Sequence, residues 1–155
     1  MSEAVIVATA RTALAKSYRG SFNDTEAPVL GGHVVRAVVE RAGVEPGEVE
    51  DVIMGAAAQQ GTQGYNIGRL CAYTAGLPES VPGMALDRMC ASGLMAIDVA
   101  AKAIVTGEMK IAVAGGVDHP LGGVFVTSVT EGRCAHLAGV AVGDRVLAVG
   151  LCSLL

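Results

Sequence analysis

A cysteine that accepts an acyl group needs a reactive thiolate and donors for the charge that develops on the carbonyl oxygen. The stretch Cys90-Ala91-Ser92-Gly93 offers a setting for both. It follows the apolar run Gly83 to Met89, which reads as a short strand, and it opens a helical pattern that continues to about Thr106. A cysteine at such a junction sits against the positive end of the helix, beside first-turn amides with no partner inside the helix. That setting favours a nucleophile and supplies oxyanion donors. The competing reading is an inert buried cysteine, the commonest fate of a free thiol.

Other candidates for chemistry are weaker. Cys71, Cys90, Cys134 and Cys152 are widely spaced and form no C-x-x-C pair, so neither a metal site nor dithiol chemistry is expected. The Gly-rich loop Gln59 to Tyr65 precedes a helix from about Asn66 to Ala75 and could meet a phosphate there. It lacks the spacing of a P-loop or a dinucleotide fingerprint, so a plain connector is the better reading. His33 shares a polar helix face with Arg36 and Glu40, which marks a solvated surface histidine.

The elements that would position Cys90 alternate in type. Ala4 to Ala10 is a continuous apolar run, the pattern of a strand buried on both faces. A helix follows, with Asp24 or Thr25 as cap, Pro28 in its first turn and Gly43 after its end; Leu30, Val34, Ala37 and Val38 form its apolar face. Glu45 to Glu48 is a turn, Asp51 to Ala57 a second strand, and Lys110 to Gly115 a fourth. The alternation predicts an α/β fold with a mainly parallel sheet. In the helix after Cys90, Asp98, Lys102 and Thr106 form one narrow polar stripe and the rest is apolar almost all round. Such a helix belongs between layers and needs cover on more than one side.

Composition bounds the partners. The 155 residues are 52% hydrophobic but only 3% aromatic, so the core is expected to be packed from Val, Ala, Leu and Ile. A net charge of −4 with no basic cluster argues against nucleic acid. No apolar run is expected to reach the about 18 residues that span a bilayer, and no signal segment is expected before the first strand. A reducing cytoplasm fits these features best.

The residues Asp87-Arg-Met-Cys-Ala-Ser-Gly-Leu-Met-Ala-Ile97 resemble the nucleophile motif of the thiolases, the acetyl-CoA acyltransferases. The resemblance extends through Ala4 to Thr12, Asp51 to Gly55 and Ala112 to Asp118, in the family's order and spacing. It implies a layered α/β/α thiolase-like fold, here truncated to about one half, in which two similar halves sandwich a shared central helix layer. It also implies a two-step acyl transfer between CoA thioesters, within fatty-acid and 3-ketoacyl-CoA metabolism. Cys90 would be the acyl-accepting nucleophile, with no bound cofactor and an acyl-CoA as substrate. Asn66 and Arg69 would lie near the active site and the dimer contact. Ala13 and Ala15 stand where the family tends to have Pro and Gly.

At Asp118 this pattern is expected to stop, which divides the chain into residues 1–118, an incomplete thiolase N-terminal domain, and residues 119–155, a β-rich tail. The tail, through His119 to Gly132 and Val142 to Val149, resembles the middle of a PDZ domain without the carboxylate-binding loop or the groove-walling helix. A hairpin that extends or caps the sheet is the preferred reading, and a working peptide site is not expected. His119-Pro-Leu-Gly122 is similar to the family's G-H-P-x-G motif but stands outside its usual context, so His119 is a poor candidate for the activating histidine. Cys134 and Cys152 lack the glycine run of the family's second catalytic cysteine, and His136 reads as a surface residue. With several acid–base partners outside these residues, no turnover by the chain alone is expected. The alternatives are a non-catalytic fragment that acts by association, as a homo-oligomer or through the uncovered apolar face, and a peptide-binding module.

Overall fold

A computed structural model describes residues 3–16 and 20–118 together with the backbone of residues 123–130. In chain order the elements are β1 (Val5–Arg11), α1 (Ala27–Ala42), β2 (Asp51–Gly55), α2 (Ile67–Ala75), β3 (Gly83–Leu86), α3 (Ser92–Thr106), β4 (Ile111–Asp118) and β5 (Gly123–Thr130). His119, Cys134, His136 and Cys152 lie outside the described residues.

The strands form one sheet in the order β1-β5-β4-β2-β3. β4, β2 and β3 are parallel neighbours, while β5 runs antiparallel to both β4 and β1. Four of the five strands therefore share a direction, in keeping with the α/β expectation. β5 pairs Gly123 with Asp118 of β4 on one side and Thr130 with Val5 of β1 on the other. The strand expected over Val124 to Val129 is present as β5, but it lies inside the sheet, between β1 and β4, rather than extending or capping it. The turn at Gly132 and the second strand of the expected hairpin lie outside the described residues. β1 is accordingly an edge strand, as is β3, and its residues are half-buried apart from exposed Thr9 and Arg11, which corrects the expectation of a strand covered on both faces.

The side-chain period of two assigns each strand residue to a layer. Val52, Met54, Val113 and Val117 pack with Val34, Val35 and Val38 of α1 and Ile67 and Ala72 of α2. Ile53, Ala112 and Ala114 face the other way, onto Ala96, Ile97, Ala100 and Ile104 of α3. In β1 the register shifts between Ile6 and Ala8. Ile6 belongs to the α3 side, and Ala8 and Ala10 to the α1 side. The result is three layers with α1 and α2 on one face and α3 on the other.

Helix ends follow local chemistry. Gly43, Gly76 and Gly107 each end a helix in the left-handed conformation that glycine adopts most cheaply. The start of α1 departs from expectation. Glu26, not Asp24 or Thr25, is the cap, and it makes no side-chain bond. The Ala27 amide instead donates to the Thr62 hydroxyl at 3.3 Å, so a distant loop satisfies that orphan group. Arg36 donates to the Ala75 and Thr74 carbonyls at 2.9 and 3.0 Å, capping the C-terminus of α2.

The stretch Met89–Thr106 has the length and apolarity of a membrane-crossing helix, contrary to the expectation that no run would reach it. Its inner face packs on the sheet. Its outer side carries the Asp98–Lys102 ion pair at 2.6 Å beside exposed Leu94 and Val105.

Candidate active site

β3 ends at Leu86, three residues short of the expected Met89. The cause is Asp87. Its carboxylate accepts the Met89 amide at 2.7 Å, a local bond that competes with the ladder and turns the chain. Met89 then adopts a φ of 50°, in the left-handed region, and is 68% exposed. For a long side chain that conformation costs on the order of 1–2 kcal/mol, so neighbouring bonds must hold it.

They come chiefly from Ser92, the first residue of α3, which is buried at 3% exposure. Its hydroxyl donates to the Met89 carbonyl at 2.6 Å and accepts the Arg88 amide at 2.8 Å. Its own amide donates to the same Met89 carbonyl at 3.0 Å, and the Ala91 amide donates to the Arg88 carbonyl at 3.1 Å. Cys90 rides on this turn. It is a free, exposed thiol, one residue before the Ala91 cap of α3. The inert buried reading does not describe it. It does describe Cys71, which is fully buried and whose thiol desolvation pushes up to about 12.

The turn is seated on the sheet by backbone contact. A Cβ at Gly55, the last residue of β2, would collide with the Ser92 carbonyl. One at Gly116 of β4 would stand 2.9 Å from the Gly93 Cα. The mouth of α3 thus rests against the C-terminal ends of two parallel strands, where crossover folds expose residues for chemistry.

Asn66 and Arg69 work from the other side. Asn66, at φ 62°, caps α2 by accepting the Arg69 amide at 3.3 Å, and its Nδ2 donates to the Gly83 carbonyl at 2.7 Å. The Arg69 guanidinium donates to the carbonyls of Val81 and Glu79. Both residues therefore clamp α2 to the start of β3, the strand that delivers Cys90. Their sequence-predicted importance is met here by a structural task. The roles of Asp87 and Ser92 were not singled out by sequence reasoning. The spacing of an acidic residue and a serine around Met89 was the available signal.

Among the described residues no three His, Cys, Asp or Glu side chains gather as a metal-holding cluster. His33 is exposed on α1, away from this turn in sequence and in the layer opposite α3.

Residues 4–121 match the family described as the thiolase N-terminal domain. The chain belongs to the thiolase family. It is 46% identical over 119 residues to an acetyl-CoA acetyltransferase of Cupriavidus necator, covering 77% of this chain and 30% of that protein. Against an acetyl-CoA acetyltransferase of Shinella zoogloeoides it is 40% identical over 141 residues, covering 90% of this chain and 33% of the relative. A 3-ketoacyl-CoA thiolase of Psychrobacter cryohalolentis is 38% identical over 117 residues, with 76% and 30% covered. The chain spans about a third of the length of these curated relatives. In this thiolase N-terminal region, the turn carrying Cys90 lies within the matched residues, as do Gly55, Asn66, Arg69 and Gly116.

Proposed function

We propose that this chain carries the acyl-accepting step of a thiolase-type acyltransferase, with Cys90 as the nucleophile and a CoA thioester as the acyl donor. The observation that carries the reading is an exposed thiol held on a bonded turn at the mouth of α3, within the stretch matched by the thiolase family. The thiolate attacks the thioester carbonyl, a carbon–sulfur bond to Cys90 forms, and the CoA thiolate leaves as the original thioester bond breaks. The oxyanion of the tetrahedral intermediate would be met by the Cys90 amide, which takes part in neither turn bond around it. Exchange of labelled CoA into acetyl-CoA tests this directly, because it needs only the acyl-enzyme half-reaction and not the complete turnover that is not expected of the chain alone. Exchange by the wild type and none by Cys90→Ser supports the proposal; equal exchange by both contradicts it.

Association is the second part of the proposal. Leu94 and Val105 stand eleven positions apart on α3, three turns, and so lie on one side of the helix. They are 58% and 48% exposed while the opposite side is buried on the sheet. That uncovered side, apolar at Leu94 and Val105 and charged at Asp98 and Lys102, supports contact with a further protein layer, either another copy of this chain or additional thiolase sequence.

A further inference from the structure

We propose that Ser92 and Asp87 are positioning residues that aim the Cys90 amide at the oxyanion formed during acyl transfer, an inference that rests on the reading of Cys90 as nucleophile. The peptide bond between Met89 and Cys90 is planar and trans, so its C=O and N–H point in opposite directions. Whatever holds the Met89 carbonyl therefore orients the Cys90 amide. That carbonyl receives two bonds from one residue, the Ser92 hydroxyl at 2.6 Å and the Ser92 amide at 3.0 Å. Both draw it toward the first turn of α3, which turns the Cys90 N–H away from that turn. The two preceding peptide planes are held as well: the Asp87 carboxylate takes the Met89 amide at 2.7 Å, and the Ser92 hydroxyl takes the Arg88 amide, one peptide earlier, at 2.8 Å. Three consecutive peptide planes are thus fixed, and Met89 is kept at φ 50° between the last two. Ser92 is buried and cannot itself reach a substrate, so its effect on chemistry passes through the amide it orients.

Two reagents separate aim from reactivity. With p-nitrophenyl acetate the Cys90 thiolate attacks the ester carbonyl, the carbonyl π pair moves onto oxygen, and collapse expels nitrophenolate as the carbon–sulfur bond remains. That route passes through an oxyanion. Iodoacetamide alkylates the same thiolate by displacing iodide, with no oxyanion formed. Both rates are followed at Cys90 by peptide mass mapping, which separates it from the other cysteines. Losing a well-aimed oxyanion donor costs about 10²–10³-fold, so misaiming one is expected to cost about 10-fold. The expected result is that Ser92→Ala lowers acetylation about 10-fold while alkylation stays within about 2-fold. Asp87→Ala, at an exposed position that leaves the packing intact, should show the same split, and Asp87→Asn, which keeps an acceptor oxygen, should restore wild-type rates. Parallel changes in both rates, or no change in either, overturn the inference. Failure of acetyl-CoA to acylate the wild type would count against the function proposed above and not against this one, because the ester and iodoacetamide rates do not depend on CoA.

Discussion

Gly93 of α3 and Gly116 of β4 meet backbone to backbone, so closely that a Cβ on Gly116 would stand 2.9 Å from the Gly93 Cα and 3.4 Å from the Gly55 carbonyl oxygen. Nothing at that contact is a flexible side-chain tip that could move aside. Gly116→Ala must therefore lift the mouth of α3 from the sheet, with an overpacking cost of about 1–3 kcal/mol. Chemical denaturation should show the loss, and Cys90 alkylation should change in the same variant. An unchanged midpoint and rate would mean that this contact does not seat the turn.

Asn66 joins two elements through one side chain, capping α2 and donating to the Gly83 carbonyl of β3 at 2.7 Å. Asn66→Ala removes both bonds and also places alanine at a left-handed φ of 62°. A loss of about 1–2 kcal/mol is expected, the scale of a lost cap, and urea unfolding measures it. Asn66→Gly, which relieves the backbone but restores neither bond, should recover only part of it.

Cys71 predicts an alkaline signature. Burial raises its thiol from 9.0 to about 12 in the folded chain. Above the unfolded value the unfolded chain sheds this proton while the folded chain keeps it. The stability it protects is whole below that value and is lost as pH climbs toward the folded one, by at most about 1.4 kcal/mol per pH unit. Between about pH 8 and about pH 10.5 the wild type should lose unfolding free energy more steeply than Cys71→Ala does. Equal slopes would show that the Cys71 proton is not linked to folding.

The outer side of α3 predicts association. Replacing Leu94 and Val105 together by Gln should leave the fold intact, because both are exposed, and should weaken concentration-dependent association in sedimentation velocity. Unchanged association by the double variant would move the interface elsewhere.

Much of this architecture was legible in the residues, for reasons that can be named. The first helix was legible through its apolar face and the third through one polar stripe on an otherwise apolar run, and Gly43, Gly76 and Gly107 stand at the helix ends, a cue that depends only on local backbone cost. Cys90 was legible through the strand-to-helix junction and its motif. What was hidden was set by partners remote in the chain. The Ala27 amide finds its acceptor in Thr62, and Arg36, a solvent-face residue by pattern, caps a different helix. The position of β5 between β1 and β4 depends on pairing that no single strand encodes. The early end of β3 was local, but it turned on one carboxylate outcompeting the ladder at Met89.

The most direct test of the central claim is the mass of the intact protein after incubation with acetyl-CoA, with Cys90→Ser as control. The account predicts a gain of one acetyl group that maps to Cys90, is removed by free CoA and is absent from the control. An unmodified wild type whose Cys90 still reacts with iodoacetamide, or an adduct that persists in Cys90→Ser, would contradict it.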